Sequence, residues 1–311
     1  MVHPYNALPA TVRVVEVGPR DGWQNLPEFL ATEQKISLIN ALSACGFAEI
    51  EVSSFVSPRA IPQLRDAADV FAAIDRVAGT VYSALVPNER GLEQAIDAGV
   101  DKVGFFISAS ETHNRHNIGQ TIAETRAVIG RMTTRVPTTM SVRASISNVF
   151  GCPYEGRVPV AGVAGLVSEL ISLGINEITL CDTLGVATPL HVAVVLEHLA
   201  TAGLQADFGL HLHDTCGRAL AGVVAGLQMG ITRFDSAVGG LGGCPYAPGA
   251  AGNLATEDLV FCLEDMGLAT GIKPEALVQA AELFARTIPQ ANSHMLGFLK
   301  GCEMAKESTA S

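Results

Sequence analysis

Residues 176–213 read NEITLCDTLGVATPLHVAVVLEHLATAGLQADFGLHLH. An apolar run, 176–182, ends on Asp182. Pro189 then opens a stretch, 189–201, whose apolar positions recur at helical spacing, and a second apolar run follows at 206–213. Both runs are nearly continuous in apolar residues, as expected where helices cover both faces of a parallel sheet. The same unit recurs along the chain. Strands are expected at 12–17, 47–52, 80–86, 102–107, 138–146, 176–182, 206–213 and 232–238. Helical spacing falls at 32–44, 66–77, 89–98, 121–132, 160–173, 189–201 and 217–229. In the first helix Thr32 is expected as the N-cap, and Gly46 lies just past the end.

Eight strands and seven intervening helices, followed by a helical stretch at 257–290, predict an α/β chain: a (β/α)8 TIM barrel with additional C-terminal helices. The rival is a doubly wound open sheet, which carries fewer strands and a glycine-rich turn straight after the first. Here the first strand runs into Gly18-Pro19-Arg20-Asp21-Gly22, which is no dinucleotide fingerprint. No linker or low-complexity segment interrupts the pattern. Residues 1–311 are therefore read as one domain: barrel 12–238, glycine-rich loop 239–253 and C-terminal helical region 256–311.

Composition narrows the partners. The 311 residues carry 31 acidic and 20 basic side chains, a net charge of −11, with a mean hydropathy of +0.32. That hydropathy excludes disorder. No run of about 18 uncharged apolar residues is present, so no membrane-spanning helix is expected. The acidic balance argues against nucleic acid. An anionic substrate requires local positive charge, from a few arginines or a metal. Seven dispersed cysteines (45, 152, 181, 216, 244, 262 and 302) read as reduced thiols, and the first residues show no leader pattern; a cytoplasmic setting is the expectation.

Barrel active sites lie at the C-terminal ends of the strands. The residues expected there are Arg20 and Asp21 after the first strand, Glu51 after the second, Asp182 after the sixth, and His211 and His213 on the seventh. Two histidines separated by one residue on a strand share a face, with Cα atoms about 6.5–7 Å apart. They are read either as adjacent ligands of one cation or as a buried hydrogen-bonded pair. With Asp21 and Asn253, the donor set is mixed and lacks thiolate, which suits Mg²⁺, Mn²⁺ or Co²⁺ better than structural zinc. Asp214 faces away from them and is read as structural.

Arg20 beside a metal ligand would stabilise an oxyanion or enolate. Glu51 and Asp182 are read as either acid–base groups or orienters of other site residues. The 239–253 loop, with six glycines and Cys244, is read as a lid; a phosphate cradle and a plain flexible loop are the alternatives. Cys244 is its candidate general acid or nucleophile. His113 and His116 are expected to be solvated loop residues, Trp23 to line the mouth, and Cys302 to be exposed and oxidisable.

The strings VEVGPRDGWQN (15–25), IEVSSFVSPRAIPQ (50–63), GCPYEG (151–156), CDTLGVATP (181–189), HLHDTCGRAL (211–220) and GLGGCPYAPGAAGNLATEDLV (240–260) resemble those of the hydroxymethylglutaryl-CoA lyase family. The resemblance implies Mg²⁺ or Mn²⁺ held by Asp21, His211, His213 and Asn253. It also implies an acyl-CoA substrate, retro-Claisen cleavage, catalytic Arg20, Glu51, Asp182 and Cys244, substrate contacts from Arg20, Trp23, Gln24 and Ser54, and a homodimer. The sequence departs from the family pattern at Trp23, Ala60, Ser145, Asn148 and Gly222. The first four are expected near the rim, where they bear on the acyl group and not on the reaction class. Two rival functions stand beside this one: a condensing acyltransferase of the isopropylmalate synthase type and a non-catalytic binding barrel.

Overall fold

The computed structural model describes residues 8–243 and 252–310, and side chains are described as far as Met304 with the exception of residue 303. Eight parallel strands close into a barrel in sequence order: β1 (Arg13–Glu16), β2 (Glu49–Ser54), β3 (Val81–Leu85), β4 (Lys102–Ser108), β5 (Ser141–Ser147), β6 (Glu177–Asp182), β7 (Asp207–Leu212) and β8 (Arg233–Ser236). Closure is made by β1 against β8, with Arg13 opposite Arg233. In β2 the register shifts between Glu51 and Ser53. Such a shift re-aims the side chains beyond it.

The helices are α1 (Thr32–Cys45), α2 (Ala67–Ala73), α3 (Glu89–Asp97), α4 (Glu111–Ile118), α5 (Ile122–Thr133), α6 (Val160–Ser172), α7 (Pro189–Thr201), α8 (Ala219–Gln228), α9 (Thr256–Asp265), α10 (Pro274–Thr287) and α11 (His294–Ala310). The expected strands and seven helices are all present, shifted by a few residues at their ends. Helix α1 ends as expected, on Gly46 at φ 94°. Its start differs from the expectation: Ala31 is the N-cap, its amide held by the Gln34 side chain. Thr32 instead donates its hydroxyl to Asp66.

The apolar core lies between strands and helices, while the barrel interior is charged. Lys102 bonds Glu49 at 2.6 Å and Glu177 at 2.8 Å, and Arg143 meets Glu51 and Asp235. The Arg233 guanidinium donates to Thr179 and to the carbonyls of Ile178 and Asp207. A Cβ on Gly209 would stand 2.6 Å from Arg233 Cζ, so the absence of a side chain there is what lets this arginine cross the barrel. Charges buried this deeply persist only when paired. Among the described residues no helix is long and apolar enough to cross a membrane.

Candidate active site

Beyond β1 the chain folds into a tight turn, Gly18–Gly22, held by the Arg20 and Asp21 amides donating to Val17 O. This turn brings Arg20 and Asp21 over the C-terminal mouth of the barrel. From the other side the segment after β8 returns against β7: Leu254 N donates to Leu212 O, Asp214 N donates to Gly252 O, and Asn253 bridges His213. Residues more than 200 positions apart thereby meet at the barrel mouth.

Asp21, His211 and His213 are all buried, and their ligating atoms lie within 4.8 Å of one another. Asp21 Oδ2 is 3.8 Å from His211 Nε2 and 3.9 Å from His213 Nε2. The two Nε2 atoms are 3.2 Å apart. On the far side of its ring, His211 Nδ1 lies 3.3 Å from Asp235 Oδ2. With a proton on Nδ1 shared with that carboxylate, Nε2 would be the ring nitrogen left to face Asp21 and His213 as a ligand. Asn253 completes the group by donating from Nδ2 to Asp21 Oδ2 at 2.7 Å and to Leu241 O. Its amide thus lies beside the cluster with nitrogen turned toward Asp21.

The electrostatics follow from burial and these neighbours. Burial alone would raise Asp21, but Arg20, His211 and His213 hold its carboxyl below the usual range. His213 is pushed down to about 4 by burial and by His211, so it is neutral at pH 7. For His211 the burial penalty is outweighed by Asp235 and Asp21, which raise it. Asp235 is held well below the usual carboxylate range: burial is opposed by Arg143 and His211.

Arg20 lines the cavity, while its Nε donates to Glu51 Oε2 and one terminal nitrogen to Asp21 Oδ1, both at 2.6 Å. The other Glu51 oxygen accepts from Arg143 at 3.2 Å. Glu51 therefore sits between two guanidiniums and orients Arg20. Gln24 and Ser54 line the cavity too; Gln24 donates to Asp21 Oδ1 and Ser54 to Leu85 O. The cavity measures about 500 Å³ and extends to Ala60, Phe106, Ser145 and Thr183 across the mouth.

Several expectations are corrected. Trp23 does not line the mouth: it is 1% exposed and stacks on Phe284 of α10 with centroids 6.2 Å apart. The compact turn swings its ring away from the cavity, toward the covering helix. Asp182 is not among the cavity's lining residues. It nevertheless keeps its expected place at the end of β6, between the lining residues Cys181 and Thr183; its oxygens accept the Val186 and Ala187 amides, and burial raises its carboxyl against the lowering effect of those bonds and of His211. Asn148 does not line the cavity either: it is fully buried, holds φ at 61° and donates to Gly151 O. His113 and His116 belong to helix α4. His113 is buried against the cavity, where burial and His116 push it down to about 4; His116 stacks on Tyr154. Ala60 and Ser145 do line the cavity, and Asp214 accepts the Ala219 amide at the start of α8, as its outward position implied. Cys244 and the middle of the 239–253 loop lie outside the described residues.

Sequence reasoning missed Asp235 and Arg143, which hold His211 and Glu51. The available signal was a charged residue within an expected strand, Asp235 in RFDS and Arg143 in SVRASIS.

Fold and site together define a class: a (β/α)8 barrel whose mouth gathers one carboxylate and two imidazoles suited to a divalent cation, beside an arginine held by Glu51 and Asp21. The family model described as HMGL-like matches residues 11–284, and the chain belongs to that family of carbon–carbon lyases. The chain is 49% identical over 289 residues to hydroxymethylglutaryl-CoA lyase YngG of Bacillus subtilis, covering 91% of this chain and 97% of that one. The crystal structure of the Bacillus HMG-CoA lyase superposes with a TM-score of 0.90 at 47% identity, covering 94% of this chain and 99% of that one. An HMG-CoA lyase from Acinetobacter baumannii, solved with coenzyme A and 3-methylmalate, superposes with a TM-score of 0.86 at 40% identity, covering 92% and 93%.

Proposed function

We propose that this chain cleaves 3-hydroxy-3-methylglutaryl-CoA to acetyl-CoA and acetoacetate, with Mg²⁺ or Mn²⁺ held by Asp21, His211, His213 and Asn253. The observation that carries the reading is the convergence of the Asp21, His211 and His213 ligating atoms at the barrel mouth. One anionic oxygen and two imidazole nitrogens, without sulfur, suit a hard to borderline divalent ion. When bound, such an ion supplies Lewis acidity that lowers the pKa of the substrate C3 hydroxyl.

The chain's own residues supply the rest. Transfer of the C3 hydroxyl proton to water in the cavity turns that C–O bond into a carbonyl as the C2–C3 bond breaks. The bonding pair passes into the thioester, whose oxygen becomes the enolate oxygen. Arg20 is assigned to hold that oxygen; its contact with Glu51 at 2.6 Å, and that of Arg143 with Glu51 behind it, support the reading. Cys244 is assigned the return of a proton to C2, giving acetyl-CoA. Asp235 keeps His211 in the tautomer that presents Nε2.

The test is incubation of the purified chain with the thioester, scoring acetyl-CoA and acetoacetate. Equal amounts of the two are expected, with loss of activity in EDTA and recovery with Mg²⁺ or Mn²⁺. Full activity in metal-stripped protein would defeat the reading. A second reading keeps the reaction and changes the acyl group. Ala60 and Ser145, small residues at two points of the cavity wall, favour a larger group on C3. A panel of 3-hydroxy-3-substituted glutaryl-CoA thioesters separates the two by kcat/KM.

A further inference from the structure

We infer that Glu16 is a positioning residue, whose single carboxylate sets the Arg20–Asp21 turn and the Asn253 segment in register so that both meet His211 and His213. The inference rests on the metal-centred reading above. Glu16 is the last residue of β1 and is fully buried. Oε1 accepts the Gly18 amide at 2.8 Å and the Val238 amide at 3.0 Å. Oε2 accepts the Thr256 hydroxyl at 2.6 Å, and Thr256 in turn meets Ser236 at 2.8 Å.

Each contact anchors a different limb of the site. Gly18 lies three residues before Asp21. Val238 lies three residues after Asp235, which orients His211. Thr256 lies three residues after Asn253, and its amide donates to Ala237 O. No other described carboxylate bonds all three limbs. The fit is close: a Cβ on Gly18 would stand 2.6 Å from Glu16 Oε1, so glycine is needed for the turn to approach its anchor. The neighbouring Gly239 amide is held in the same way by Glu257 at 3.0 Å, so two successive amides at the exit of β8 are fixed by buried carboxylates.

The test is Mn²⁺ affinity, read by electron paramagnetic resonance on purified protein, with steady-state kcat measured beside it. Glu16→Ala removes all three contacts and is expected to raise the Mn²⁺ Kd about 10–100-fold, the range for losing an outer-shell partner. Glu16→Gln keeps an oxygen for the two amides and presents its NH2 group to Thr256, so its Kd should stay within about threefold of wild type. Thr256→Val removes the α9 limb alone and should raise the Kd by an intermediate factor. Leu199→Ala, on the buried face of α7, should lower thermal stability without moving the Kd. If Glu16→Ala does not fold, Glu16→Asp, too short to reach all three partners, carries the same expectation. Wild-type protein that fails to bind Mn²⁺ overturns the metal reading itself. Wild-type binding with an unchanged Kd in folded Glu16→Ala, Glu16→Asp or Thr256→Val overturns the role assigned to Glu16.

Discussion

Replacing Asp235 by Asn changes little in shape and much in charge. Asp235 Oδ2 stands 3.3 Å from His211 Nδ1, and Oδ1 accepts from Arg143 at 3.3 Å. Both contacts are buried, so the lost charge is not replaced by water. An Asn oxygen can still accept from Nδ1, but a neutral acceptor makes Nε2 a weaker electron-pair donor. The amide is equally able to turn its NH2 group to the ring, which favours the tautomer with the proton on Nε2, where the cation is to sit. Losing an outer-shell carboxylate of this kind costs about 10–100-fold in metal affinity, or about 1.4–2.8 kcal/mol. Arg143 loses one of its buried counter-charges too, so Glu51 and Arg20 are expected to shift and kcat at saturating metal to fall. The assay is Mn²⁺ titration of Asp235→Asn beside wild type, with folding checked by circular dichroism. A folded variant with wild-type Mn²⁺ affinity and wild-type kcat would refute the orienting role.

Other outcomes are expected from the same geometry. Cys244→Ala should lower turnover by about 10²–10⁴-fold, the range for a general acid, with Mn²⁺ affinity unchanged; wild-type turnover would end the proton-return assignment. His113 is held down to about 4 against its ordinary 6.5. Between pH 6.5 and 4 the unfolded chain therefore binds a proton that the folded chain does not, and stability falls as pH drops through that window. His113→Phe should remove a slope of up to about 1.4 kcal/mol per pH unit there, seen as a smaller shift of the urea midpoint between pH 7 and 5. Gly209→Ala would drive a methyl group to 2.6 Å from Arg233 Cζ, and should cost about 1–3 kcal/mol, read as a Tm several degrees lower.

The barrel was legible because its information is local. Eight apolar runs alternate with seven segments of helical spacing, and the chain closes the strands in order. The histidine pair was legible for the same reason, since two strand residues one apart must share a face. Helix α4 was not, because ETHNRHNI carries a single apolar residue and offers no stripe to read; it is held instead by the Ser110 cap and by Asn114, which donates to Thr125. The segment therefore reads as a solvated loop, although His113 lines the cavity. Trp23 failed for a longer-range reason: its ring is claimed by Phe284 in a helix over 250 residues further on. The charged barrel interior was hidden by reading each strand as a uniform apolar run, which passed over Lys102, Arg143, Arg233 and Asp235. Those residues make sense only when eight strands are closed and their inward faces are added together.

Anomalous diffraction at the manganese edge, from crystals grown with Mn²⁺, tests whether Asp21, His211 and His213 share one ion. A single strong peak is expected within about 2.0–2.3 Å of an Asp21 oxygen and of both Nε2 atoms, with the Asn253 oxygen turned toward it. No peak at the barrel mouth, or one bound by other residues, would contradict the reading on which the chemistry depends.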